Sequence, residues 1–193
     1  MNKNTRNILI VGVGGQGTLL TSRIIAQVAV QMGYDVKVSE VHGMAQRGGG
    51  VVSQVRYGDK VYSPIIKKGD ADFILGFEKI ETARWLEYLK PGGKVIVNDE
   101  RIDPLPVMSG KTEYPDDIIE KIRSFVPDAI KVNASDIALK LGDVRVANVV
   151  LVGVLSRVMQ LPEEQVKEAV RKIVPARAVD INLKAFEEGL KLA

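Results

Sequence analysis

The residues with the most chemical potential lie in two glycine-rich stretches of a 193-residue chain. The first, "GVGGQG", satisfies G-x-G-x-x-G with Gly12, Gly14 and Gly17, and Gly15 and Gln16 complete it. Behind a strand and ahead of a helix, such a turn is a dinucleotide fingerprint, because its backbone N–H groups and the helix N-terminus can hold a phosphate. Glu40 follows Gly17 by 23 residues, close to the offset of an acid that binds a ribose hydroxyl. The second stretch, "EVHGMAQRGGGVVSQVR", holds the only histidine, His42, together with Gln46, Arg47, Gly48 and Gly49. His42 is a candidate proton shuttle near neutral pH. Arg47, beside small neighbours, can grip a phosphate or carboxylate through two N–H groups at once. Glycine-dense chain is entropically costly to order, so this placement asks for a reason.

Each feature has a plainer reading. The first turn can simply pack a helix on a sheet. An extra glycine, the polar Gln16 and a following strand that runs into a glycine–arginine segment all weigh against a nicotinamide cofactor. A lone histidine is more often a hydrogen-bonded structural residue, and Arg47 can pair with Glu40 or Asp59. Asp99 and Glu100 follow "KVIVN" at a strand's carboxyl end, where α/β sites gather, but read first as a solvated turn. Two rival functions stay open on these residues: a free-standing NAD(P)-dependent oxidoreductase, and a scaffold whose glycines only pack. An adenylating enzyme of the ubiquitin-activating type ranks lower, since those usually carry cysteines and this chain has none.

The elements that must position these groups follow from periodicity. "NILIVGV" reads as a strand buried on both faces. "TLLTSRIIAQVAVQMGY" reads as a helix with Leu20, Ile24, Val28 and Met32 on one face, and "DVKVSEV" as a second strand, which makes a βαβ unit. "VVSQVRY" and "KVYSPI" around Gly58-Asp59 predict a β-hairpin. "ADFILGF" and "KVIVND" are further buried strands, flanking a helix over "EKIETARWLEYLK". "DDIIEKIRSFV" predicts a short helix and "AIKVNAS" an edge strand. The last third reads as helical, with a helix over "SDIALKLG" capped by Ser135 or Asp136. "VANVVLVGVLSRVMQ" is apolar on nearly all sides, so it is either central or covered by a partner. The expected fold is α/β: a three-layer Rossmann-like domain over residues 1–193, with a mostly parallel sheet, a β-hairpin and a helical C-terminal third.

Composition narrows the function. With no cysteine, disulfides, thiolate zinc sites, cysteine-ligated iron–sulfur clusters and cysteine nucleophiles are excluded. A net charge of +3 does not suggest nucleic acid. The segment from Lys37 to Lys68 nevertheless carries six cations against two anions, a local field that favours an anionic ligand or acidic partner surface. No uncharged apolar run approaches the roughly 20 residues of a membrane span, and a soluble, cytoplasmic protein is expected.

The stretches "GVGGQGTLLTSRIIA", "SEVHGMAQRGGGVVSQVR" and "LKPGGKVIVN", with "SPII" and "GDADFILGFE", resemble the gamma-type domain of the 2-oxoacid:ferredoxin oxidoreductases, and within it the small beta subunits of indolepyruvate ferredoxin oxidoreductases. The similarity covers nearly the whole chain, and "EVHGMAQRGG" is its most specific part. The resemblance implies a heteromeric oxidoreductase of amino-acid catabolism that converts arylpyruvates, coenzyme A and oxidised ferredoxin to arylacetyl-CoA, CO2 and reduced ferredoxin. It implies a large alpha subunit carrying thiamine diphosphate and iron–sulfur clusters, with ferredoxin reached through the complex and coenzyme A as co-substrate. This chain has neither the Gly-Asp-Gly signature of a thiamine-diphosphate site nor a cysteine, so it is expected to hold no cofactor alone. In that picture residues 40–50 dock on the large subunit and place Gln46, Arg47 and His42 near an anion, beside Gly12 to Gly17.

Overall fold

The computed structural model describes residues 5–42 and 49–193. Its centre is β1 (Arg6–Val13), in which Ile8, Leu9, Ile10 and Val11 are fully buried. Alternation along the strand divides these residues between two cores. Ile8 and Ile10 join Ile24, Ile25 and Val28 on one face, while Leu9 and Val11 join Ile118, Ile119 and Ile122 on the other. A strand apolar at every position is therefore what a sheet covered on both sides demands.

Among the described residues six strands form one sheet, in the order β2-β3-β1-β4-β5-β6. β1 continues through α1 (Thr18–Gln31) to β2 (Asp35–His42). β3 (Gly50–Gly58) then inserts between them, antiparallel to both. β4 (Ala71–Gly76), β5 (Leu89–Asn98) and β6 (Ile130–Val132) follow on the other side of β1, all parallel. Only β3 runs against the rest, so the sheet is mixed but mostly parallel. Between β4 and β5 lie α2 (Lys79–Arg84) and a single 3-10 turn; α3 (Leu105–Met108) and α4 (Ile118–Phe125) precede β6. The last third is helical as expected: α5 (Ala134–Leu141), α6 (Ala147–Met159), α7 (Glu163–Ile173) and α8 (Val179–Leu190).

The three-layer Rossmann-like expectation holds, with local corrections. No strand forms over residues 60–66, so the β-hairpin expected at Gly58-Asp59 is absent. Side chains fasten that segment instead: Asp35 accepts from the Val61 N–H at 3.0 Å and Gln54 from the Ile66 N–H at 2.7 Å. β3 pairs antiparallel with both β1 and β2, so the βαβ unit read from the sequence is split by an intervening strand. The helix expected to run to Lys90 stops at Arg84, and Pro91, Gly92 and Gly93 lie inside β5, where its register against β4 is irregular. α5 carries no cap from Ser135 or Asp136; the Asn98 side chain accepts from the Ala134 N–H at 2.9 Å. α6 is central, buried from Asn148 to Ser156 within this chain. It crosses α8 so closely that a Cβ on Gly153 would lie 2.3 Å from the Phe186 carbonyl oxygen, and one on Gly189 2.1 Å from that of Val150.

Candidate functional site

Outside the carboxyl ends of β1, β4 and β5 lies a cavity of about 360 Å³. From β1 the chain turns toward the β2 edge, and from β4 toward the β6 edge. The cavity thus occupies the switch point at which open α/β sheets bind ligands. Its walls are Gly15, Gln16 and Gly17, then Phe77 after β4, Asn98 and Glu100 at the end of β5, Ser135 on α5, and Arg145 and Asn148 at the entry to α6.

The glycine turn is closed from within. Gln16 Oε1 accepts from the Val13 N–H at 2.8 Å, and Gln16 Nε2 donates to the Phe77 carbonyl at 3.0 Å. A side chain on Gly12 would collide with this amide and with Phe77 Cβ, each 2.8 Å away. The Gly14 N–H donates to the Gly49 carbonyl at 2.9 Å, so one backbone bond ties the first glycine stretch to the second. Gly17 has φ +90°, and a Cβ there would meet Asn148 Nδ2 at 2.3 Å, which lets α1 start against α6. The N–H groups of Val13 and Gly14 already have protein partners, so the turn offers a phosphate fewer donors than its spacing suggests, which weighs against the nicotinamide reading.

Around the cavity the polar groups are mostly interlocked. Asn98 Nδ2 donates to the Phe77 carbonyl and to Ser135 Oγ, both at 3.3 Å, and the Ser135 hydroxyl donates to Glu100. Arg145 forks onto Asp143, and this hydrogen bonding with that from the Arg145 N–H holds the Asp143 carboxyl down to about 2. Burial opposes ionisation of Asp99, but the Lys131 and Lys79 ammonium groups at 2.6 and 3.0 Å outweigh it and keep its pKa below the usual range. Asn148 differs: its Oδ1 is buried with no hydrogen-bond partner among the described residues.

The structure therefore brings Gly12, Gly14, Gly15, Gln16, Gly17 and Gly49 together, with Gly15, Gln16 and Gly17 facing the cavity. Glu40 does not line it; Glu40 Oε1 accepts from Ser22 Oγ at 3.2 Å and Ser53 Oγ at 3.4 Å, between α1 and β3. Gln46, Arg47, Gly48 and the side chain of His42 lie outside the described residues. Sequence reasoning passed over Asn98, Ser135 and Asn148. Asn148 had a signal, as the one polar side chain from Val146 to Leu155. The basic segment is also less available than its charges suggest: Lys37 and Lys60 pair with Asp35, Lys68 with Glu87, and Arg56 donates to Asn7 and to the Ser63 and Ile65 carbonyls. Among the described residues no helix is long and apolar enough to cross a membrane.

The profile of the family described as "Pyruvate ferredoxin/flavodoxin oxidoreductase" matches residues 7–192. The chain is 45% identical to "Indolepyruvate oxidoreductase subunit IorB" of Archaeoglobus fulgidus, with 97% of this chain and 94% of the relative covered. The protein of the same description in Pyrococcus horikoshii is 43% identical, over 97% of this chain and 95% of that one. Among solved structures, the keto/oxoacid ferredoxin oxidoreductase gamma subunit from Geobacter sulfurreducens superposes with a TM-score of 0.72 at 25% identity, covering 97% of this chain and 98% of that one.

Proposed function

This chain belongs to the pyruvate ferredoxin/flavodoxin oxidoreductase family, as a small, gamma-type subunit of a 2-oxoacid:ferredoxin oxidoreductase, and we propose that its complex acts on arylpyruvates. The reaction takes an arylpyruvate, coenzyme A and two oxidised ferredoxins to an arylacetyl-CoA, CO2, a proton and two reduced ferredoxins. The observation that carries this reading is the end-to-end similarity to subunits named for indolepyruvate. Thiamine diphosphate and iron–sulfur clusters on a larger alpha subunit would supply carbanion stabilisation and single-electron transfer. This chain, without a cysteine, offers no ligand set for such a cluster.

Its own contribution is to shape and close a site. The glycine turn, locked by Gln16, fixes the start of α1 and, through Gly14 and Gly49, the root of residues 42–49. Docked on the alpha subunit, that segment presents Arg47, Gln46 and His42 to an anionic group, either the coenzyme A phosphates or the substrate carboxylate. Coexpression with the alpha subunit and a ferredoxin-reduction assay across 2-oxo acids tests the reading. Indolepyruvate is expected to be turned over with a higher kcat/KM than pyruvate, and equal values would sink the substrate assignment. Arg47→Ala in the assembled complex is expected to lower turnover or raise the coenzyme A requirement. Unchanged values for both would remove the segment from the site.

A further inference from the structure

A second concavity, of about 470 Å³, lies on the α2 side of the sheet over β3 and β2. Its size falls within the range of small-molecule sites. The floor is Val52, with Ile66 and the half-buried rings of Trp85 and Tyr88, which pack at 4.8 Å between centroids. Val41 and Ile65, each 52% exposed, form its rim. Two carboxylates line this largely apolar groove: Glu87, exposed and paired with Lys68 at 2.8 Å, and the buried Glu81. Glu81 has a side chain only 9% exposed, and its Oε1 accepts from Arg84 Nη1 at 2.9 Å. Its Oε2 lies 2.6 Å from where a Cβ on residue 50 would stand, so the glycine at that position leaves it room. The helix turn that bears it is fixed as well: Glu78 Oε2 accepts from the Glu81 N–H at 2.8 Å, and Tyr114 in turn donates to Glu78 Oε1 at 2.6 Å.

We propose that this groove receives the aryl ring of the substrate, with Glu81 Oε2 accepting the indole N–H; the proposal rests on the arylpyruvate reading above. A largely apolar slot with an aromatic floor and a buried acceptor in Glu81 suits a planar heteroaromatic ring that carries one donor. The charged 2-oxo acid end stays outside, because burying it beside Glu81 would set two anions together. It then faces the head of the groove, beside Val41 and Gly50. Glu81 acts here as a specificity-determining residue and takes no part in bond making.

The test uses the coexpressed complex and two variants. Ile65→Trp, at an exposed rim position, fills the slot and is expected to lower the ratio of kcat/KM for indolepyruvate to that for pyruvate about tenfold. Glu81→Gln, which keeps the side chain's shape, is expected to lower the preference for indolepyruvate over phenylpyruvate roughly fivefold, since only the former has a ring N–H. Ratios unchanged in both variants overturn the proposal, as does an equal loss on every substrate, the mark of a merely structural role. Saturation-transfer NMR with indole alone reads the groove without turnover. A signal in the wild-type complex that Ile65→Trp abolishes supports the groove even if ferredoxin reduction proves to favour other 2-oxo acids. No signal, or one seen on the isolated chain and lost in the complex, overturns it whichever substrate is used.

Discussion

Gln16 shows how a single side chain can redirect a familiar motif. Its amide uses the turn's own donors and acceptors, so the glycines serve closure of the turn before they serve any ligand. Gln16→Ala strands the Val13 N–H and leaves the Phe77 carbonyl only its 3.3 Å bond from Asn98, and a loss of about 1–3 kcal/mol is expected in urea denaturation. Asp35 makes a different residue-scale claim. Hydrogen bonds from the Lys37 ammonium and the Val61 N–H, with Lys60 nearby, hold its carboxyl down to about 2 from an ordinary 3.8. A depressed carboxyl contributes stability above its unfolded pKa and loses it as pH falls toward the folded one. Denaturation across the acid range is therefore expected to show a shallower stability loss between about pH 4 and pH 2 for Asp35→Asn than for wild type. A parallel course for the two proteins would mean that Asp35 is not linked to folding.

At the scale of elements, most helices and the strand over "VVSQVRY" were legible in the sequence, but that strand's antiparallel place between β1 and β2 was not. α1, α6, α7 and α8 announce themselves by local spacing, and α7 by acids in its first turn and bases in its last. The insertion of β3 beside β1 depends on pairing residues 37 to 51 positions apart, from Val13 with Gly50 to Arg6 with Tyr57; no local pattern encodes that. The Gly58-Asp59 turn signal was genuine, but the residues beyond it found side-chain partners rather than a ladder. In the site, the glycine turn was visible because its spacing is fixed by backbone geometry. Asn98, Ser135 and the groove beside Glu81 were not, since they meet only once four separate elements are assembled. The α6–α8 crossing yields the element-scale prediction. Gly189→Ala would drive a methyl into the Val150 carbonyl, at a cost of about 3 kcal/mol. A melting temperature lower by roughly 6–12 °C is expected by calorimetry, and a drop under a degree would show that the helices slide apart without strain.

For the whole molecule, the prediction concerns what the chain does without companions. It gathers shape, a closed turn and a buried carboxylate, with no thiolate for a cluster. The purified chain is expected to show no saturable NADH binding by cofactor fluorescence and to reduce no ferredoxin with any 2-oxo acid. Micromolar NADH binding would revive the rival oxidoreductase reading. The sheet order carries one more consequence. β2 touches the sheet through β3 alone, so a fluctuation that separates β3 from β1 sets both strands loose together. Amide hydrogens of the two strands should then trade with deuterium at a common pace, ahead of those in β1, as befits a cooperative flap on an otherwise slow-opening body.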